Sequence, residues 1–385
     1  MPRRFSSKPR LAATRRHFLQ GSAAAIAGIA LSNCGGVSDV QSSDAGAEPT
    51  EDGDAGSAAS GASGPLYIYT WADYTDDQLV QRFRDKTGID VQIDIYDSNE
   101  TMLAKMQAGG GDNYSVIYPS DYMVTQMIDM GMLTEFDKSR LQGLDQLSPK
   151  WESPGYDPDN SHSVPYSWGT TGLIYNSKEL STAPADWTYL WDNKDALSRR
   201  MTMLDDVRET LGAVLHSLGY SYNSTDPAEL EAAYQRLLEL KPALASFKSF
   251  GWQDELLGGD LLLAMAFSVE AIPVTLEDDT FQYVIPASGS SVWTDTMVIP
   301  TTAPNADAAY EWINFNLNPD VSAETVKRLY FATPNAAAKD MLPEELLSNQ
   351  DLFPSEELLA KCEGIAPVGD AIELYDRYWT QITSA

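Results

Sequence analysis

The chain has 385 residues, with 26 Lys or Arg against 56 Asp or Glu and a net charge of −30 with His neutral. A field of that sign repels nucleic acid and anionic membrane surfaces and draws in cations, although acidity also serves solubility. Only two cysteines and three histidines are present, and beyond the N-terminal region no run reaches the roughly 18 uninterrupted apolar residues of a spanning helix.

Residues 1–33 hold six of the basic residues and no acid. Within them Thr14-Arg15-Arg16-His17-Phe18-Leu19 precedes a small apolar run from Ala23 to Leu31, the pattern of a twin-arginine export signal. The run ends in Leu31-Ser32-Asn33-Cys34-Gly35, which resembles a lipobox and predicts lipid attachment at Cys34, with plain cleavage and a free soluble protein as the alternative. A lipidated Cys34 would anchor the protein to the membrane without spanning it. It would also leave Cys362 without a disulfide partner, as a partly buried small side chain. Residues 34–64, rich in Gly, Ala, Ser and acids, cannot bury a core and read as a disordered tether. The signal takes six bases and the tether six acids, so the body from residue 65 keeps the −30 of the whole chain. That body is long enough for a large core and two lobes.

The body alternates strand and helix. A strand over 66–69 leads to a helix over 76–87, with Leu79, Val80 and Phe83 on one face and Gly88 as its stop. A strand over 91–96 alternates Val91, Ile93 and Ile95. Asp97 to Glu100 caps a helix through Met102, Leu103 and Met106, and Gly109-Gly110-Gly111 then precedes a strand over 115–118. This glycine run is no phosphate loop, because it precedes a strand and no Lys-Ser/Thr follows; it reads as a flexible turn. The βαβαβ order implies an α/β fold with a parallel sheet and helices on its faces. Further strands are expected over 170–175, 202–205, 262–267 and 292–300. Helices are expected from Asp206 through Leu211, Val214 and Leu218, and over 306–316, 321–329 and 370–382.

The strand exits share a composition. Trp71, Asp73 and Tyr74 follow the first strand, and Ser120, Asp121 and Tyr122 follow the third. Asp206 and Glu209 open a helix three residues apart, on one face and near its favourable dipole end. Trp293 and Asp295, two apart on a strand, point to one side. Carboxylates neutralise ammonium groups, and Trp or Tyr faces attract desolvated cations by about 2 kcal/mol while packing against methylenes. Together these groups suit a linear aliphatic polycation at the carboxyl edge of an open sheet, where such folds place ligands. Each also has a plainer reading: Asp73 and Asp206 as helix caps, Trp293 as core. Paired acids also hold divalent cations, but no loop here has the dense oxygen spacing this needs, and no metal or other cofactor is expected.

At this point the chain resembles the bacterial periplasmic spermidine/putrescine-binding proteins of ABC transporters, within the extracellular solute-binding proteins. The matching segments are residues 69–74, 96–102, 119–122, 164–169, 204–209, 292–295 and 333–337, in family order from Leu66 almost to the C-terminus. The resemblance implies a periplasmic monomer of two α/β lobes, with chain crossovers between them and a polyamine in the interlobe cleft, closed by hinge motion. It implies lobe 1 over 65–170 and 294–339, and lobe 2 over 171–293 and 340–385. Carried over by position, Trp71 and Tyr74 wall the first lobe and Asp73 meets an amine end. Ser120 and Tyr122 line the same wall, Asp206 and Glu209 supply second-lobe carboxylates, and Trp293 and Asp295 hold the other amine region. Phe267 stands where a tryptophan is usual and Phe331 where a tyrosine is usual. Ala72 replaces a hydroxyl residue, and no amide side chain stands near Ile365. These departures leave the choice among spermidine, putrescine and other amines open.

The implied partner is an inner-membrane ABC permease. A sensor that presents bound polyamine to a membrane signalling receptor would use the same cleft. An enzyme is not expected: His17 lies in the signal, His162 and His216 are far apart, and no nucleophile, zinc or nucleotide fingerprint is present.

Overall fold

A computed structural model describes residues 64–72 and 74–384. The export signal, Cys34, nearly all of the tether and Asp73 lie outside the described residues. The first strand, β1 (Leu66–Trp71), is followed by helix α1 (Asp77–Thr87). Asp76 caps α1 by accepting from the Leu79 N–H at 2.7 Å, and Gly88 ends it in the left-handed region at φ 72°. β2 (Val91–Tyr96) lies parallel to β1 at the sheet edge. Its expected alternation holds only weakly: Val91 and Ile93 are half-buried, while Ile95 is 61% exposed, on what is an edge strand among the described residues. Ser98 caps α2 (Asn99–Lys105), and the glycines that follow form a tight helical turn with Gly109 at φ 93°. β3 is shorter than expected, Val116–Ile117. Its flanks stay in register through Ser115 N–H to Tyr67 O and Tyr118 N–H to Tyr69 O. Helix α3 (Asp121–Asp129) starts directly after it.

The largest departure from expectation is β4, Ser163–Asn176, of which only the second half was legible. Pro165 and Gly169 argue against a strand by propensity. The structure accommodates Pro165 with a register shift between Pro165 and Ser167. Gly169 is required by packing: a Cβ there would lie 2.2 Å from the Trp293 ring. The first half of β4 pairs with β9 (Val292–Val298), and the second half pairs with β7 (Leu263–Phe267) and β8 (Phe281–Val284). β5 (Met201–Met203) and β6 (Leu244–Phe247) complete the sheet, in the order β2-β1-β3-β9-β4-β7-β5-β6 with β8 beside β4. The βαβαβ part is parallel as expected, and the strands that join the halves, β4 and β9, are antiparallel.

Each half buries its own core, which makes the fold a two-lobe α/β type. In the first half Leu66, Ile68, Leu79, Phe83 and Val116 pack with Trp312 and Phe315 of the helix Ala306–Leu317 on one face. Tyr69, Met102, Met106, Met123 and Met127 pack on the other. In the second half Leu211, Val214, Leu230, Leu237, Leu263 and Met265 enclose Tyr375 and Ile382 of the C-terminal helix Ile372–Ser384. Among the described residues no helix is long and apolar enough to cross a membrane.

Candidate functional site

Asp295, in the middle of β9, is the centre of the site. An isolated bridge pairs it with Ser120 at the exit of β3, so two crossing segments meet there. Its Oδ1 accepts from Ser120 Oγ at 2.6 Å and its Oδ2 accepts from the Tyr74 hydroxyl. Asp295 is 3% exposed. Burial pushes its carboxyl up to about 6, against the two hydrogen bonds that pull it down. Burial and the adjacent Asp295 carboxylate together hold the Tyr74 hydroxyl well above its ordinary value.

Aromatic rings surround this acid. Phe331 lies 4.6 Å from Tyr74, centroid to centroid, and the Tyr166 hydroxyl donates to Tyr74 O at 2.9 Å. Trp71 packs on Tyr96 at 4.5 Å and donates its Nε1 hydrogen to Tyr118 O at 2.8 Å. Trp71 therefore stays half-buried at the rim, while Tyr74 is buried. Trp293 and Phe267 meet edge to face at 6.1 Å, and Phe267 packs against the cores of both halves. Trp293 is both core and site neighbour: it is buried among the residues around Tyr74 and Phe331, yet its Nε1 has no hydrogen-bond partner.

A second run of polar contacts leads outward. Asn99 Nδ2 donates to Ser120 Oγ at 3.1 Å and to the Tyr122 hydroxyl at 3.0 Å, and Tyr122 donates to Glu100 Oε1 at 3.0 Å. Glu100 faces the second half of the molecule, where the Asp206 carboxylate, after burial itself, raises its carboxyl further. Asn99 and Glu100 were read as capping residues only. The signal for more lay in their position at the exit of β2, beside the exits already singled out.

On the other side Asp206 caps the helix Val207–Ser217, accepting from the N–H groups of Arg208 and Glu209 at 2.9 Å each. The helix-cap reading thus holds without excluding a ligand role, since the cap uses Oδ1 alone. Glu209 is 2% exposed and its two oxygens accept from Ser291 Oγ at 3.0 and 2.7 Å. Burial first, and then Asp206, push Glu209 up to about 8. Arg208 is a buried cation whose guanidinium donates to Asn223 Oδ1 and Ala366 O, both at 2.9 Å.

The structure thus brings together Tyr74, Ser120, Asp295, Trp293, Phe267 and Phe331. Tyr122 joins them through Asn99, and Asp206 with Glu209 stands opposite. Sequence reasoning missed Tyr166 and Ser291, whose roles depend on strand pairing between distant segments. Ile365 is buried, and the side-chain amide of Asn223 bonds the backbone on either side of it, donating to Gly364 O at 2.9 Å and accepting from the Ala366 N–H at 2.8 Å.

Chemically, the arrangement is a set of desolvated carboxylates with aromatic walls and one cation already engaged by uncharged partners. Residues 78–354 match the family model of bacterial extracellular solute-binding proteins, and the chain belongs to that family. It is 35% identical over 318 residues to the spermidine/putrescine-binding periplasmic protein of Salmonella typhimurium, covering 82% of this chain and 91% of the relative. A structure of a putative spermidine/putrescine ABC transporter from Listeria monocytogenes superposes with a TM-score of 0.78 at 36% identity, over 83% of this chain and 99% of that one. The TpPotD lipoprotein of Treponema pallidum gives 0.75 at 30% identity, over 83% of this chain and 99% of that one. The family resemblance carried by the sequence motifs is therefore upheld.

Proposed function

We propose that this chain is a periplasmic polyamine-binding protein that delivers spermidine, putrescine or a related amine to an ABC importer. The observation that carries the reading is the meeting of Asp295, Tyr74 and Ser120 with Trp293 and Phe331 opposite the acids Asp206 and Glu209. A polyammonium chain neutralises such acids, and its methylenes pack on the rings. In this reading Trp71 and Tyr74 grip methylenes, and Asp73 meets an amine from the loop after β1. Ser120 and Tyr122 orient the wall, Phe267, Trp293 and Phe331 cover the chain, and Asp206, Glu209 and Asp295 take ammonium groups. The names of the relatives are those of binding proteins in transport, which favours import over presentation to a signalling receptor and over an enzyme.

The lobes are taken as 65–170 with 294–339 and 171–293 with 340–385, with β4 and β9 as crossovers and the cleft between them. Twin-arginine export and a lipid anchor on Cys34 complete the proposal, supported by the sequence of residues 1–35 and by a relative described as a lipoprotein. The protein acts as a monomer. Calorimetric titration of the purified body with spermidine, putrescine, neutral amino acids and glutamate tests the function. Saturable binding of the amines alone is expected. Binding of only neutral or anionic compounds would show the reading to be wrong.

A further inference from the structure

One buried amide reaches two acids of the first half through hydroxyl groups. Asn99, the first residue of α2, is 4% exposed. Its Oδ1 accepts from the Ser120 N–H at 3.2 Å; a backbone N–H only donates, so the amide has a single orientation. The two hydrogens of Nδ2 are then spent on hydroxyls, Ser120 Oγ at 3.1 Å and that of Tyr122 at 3.0 Å. Each hydroxyl has one hydrogen of its own to give. Ser120 gives it to Asp295 Oδ1 at 2.6 Å, and Tyr122 gives it to Glu100 Oε1 at 3.0 Å. One side chain thus sets two relays running the same way, from amide to hydroxyl to carboxylate.

Few residue types could do this. Aspartate has the same shape but no N–H, and serine has a single hydrogen where two are used. The relay to Asp295 ties three elements together, from α2 through the exit of β3 to β9. Bonds donated to the ionised form of an acid favour that form. A hydroxyl that accepts an N–H also donates more strongly, because chained hydrogen bonds polarise one another. Asp295 needs that support. It is buried, and the titratable groups facing it are Tyr74, Tyr96 of β2, Tyr156 and Asp121 of α3, none of them a cation. The cations Lys150 and Arg208 face Asp121 instead.

We propose that Asn99 is a positioning residue for ligand binding: its amide fixes the Ser120 hydroxyl as a donor to Asp295 and so keeps Asp295 charged for the ammonium group it receives. The inference rests on the polyamine reading above. Asn99 acts through Ser120 and not by contact with the ligand, and Tyr122 with Glu100 forms a parallel branch.

The test is spermidine binding by the exported protein, followed calorimetrically from pH 5 to 8.5. Burial sets Asp295 at about 6, so wild-type affinity should fall as pH drops through 6, because a protonated carboxyl does not pair with an ammonium. Asn99→Ala frees the Ser120 hydroxyl and should move that break upward by roughly half to one pH unit, the worth of part of one charged hydrogen bond. At pH 5 affinity should then be roughly 3- to 10-fold below wild type, and at pH 8 nearly equal to it. The part of the profile set by Glu209, at about 8, belongs to the other half and should stay in place. Added to Ser120→Ala, which already cuts the relay, Asn99→Ala should cause little further shift. An unmoved break in Asn99→Ala, or a wild-type profile with no break near 6, overturns the proposal. So does a loss of affinity equal at every pH, or a shift of the same size with and without the Ser120 hydroxyl; both mark a structural role. If Asn99→Ala does not fold, Asn99→Ser carries the same comparison. Failure of wild type to bind any amine would instead refute the polyamine reading itself.

Discussion

Replacing Asp295 by asparagine separates the two things its carboxylate does. In the unliganded protein the ionised group is a burden: burial lifts it from 3.8 to about 6. Two units at 1.36 kcal/mol each correspond to about 3 kcal/mol of stability lost once the group ionises. Asparagine removes that burden. It also removes one of two anionic acceptors, so that Tyr74 or Ser120 loses a partner, at about 1–2 kcal/mol. The net effect on the free protein above pH 6 is therefore small and leans towards stabilisation, by about 1–2 kcal/mol, or a few degrees at most for a body of this size. Binding responds in the other direction. Loss of a buried charge partner for an ammonium costs about 2–4 kcal/mol, which is roughly 30- to 1000-fold in Kd. Calorimetry for Kd and thermal melting without ligand, both at pH 7.5, read the two effects. A variant that melts several degrees lower and binds spermidine as tightly as wild type would refute the reasoning, because Asp295 would then be a structural acid.

Two other expectations follow from the same geometry. Gly169→Ala places a methyl 2.2 Å from the Trp293 ring and 2.6 Å from Ser268 Oγ, so the indole must move. Overpacking of this kind costs about 1–3 kcal/mol, and amine affinity should fall with it; unchanged melting and binding would show that β4 yields instead. The pH dependence of stability has a definite sign. Asp295 at about 6, and Asp121 and Glu209 at about 8, all titrate above their unfolded values of about 4. Between about pH 4 and 8 the folded protein thus holds more protons than the unfolded chain. Their contribution to stability is complete below pH 4 and is lost as pH rises through 6 and 8. Melting from pH 5 to 8.5 should show a decline that spermidine reverses, and a melting temperature that rises steadily with pH would contradict it.

Much of the first half of the molecule was open to reading. The β1–α1–β2–α2–β3 order and its parallel pairing follow from local periodicity and from Asp76, Gly88 and Ser98, which mark helix ends by their own backbone chemistry. Ile95 was misjudged because alternation signals two distinct faces and does not say whether a neighbour covers either one. The first half of β4 was not read as a strand because Pro165 and Gly169 contradict it locally. They are tolerated only because a register shift and the Trp293 ring accommodate them.

The same division runs through the site. Which residue types gather at the candidate site was legible in the sequence alone, since acids beside aromatics recur at successive strand exits and each pairing is local. Their partners were decided only by tertiary structure. Tyr74 and Asp295 are far apart in the chain and meet because β9 returns beside β3. Ser291 reaches Glu209, and Asn99 links Ser120 to Tyr122, through contacts no local pattern encodes. The raised pKa values of Asp121, Glu209 and Asp295 are likewise products of burial, which residue type does not reveal. Composition supplied the charges, and the crossing of β4 and β9 between the halves removed those charges from water.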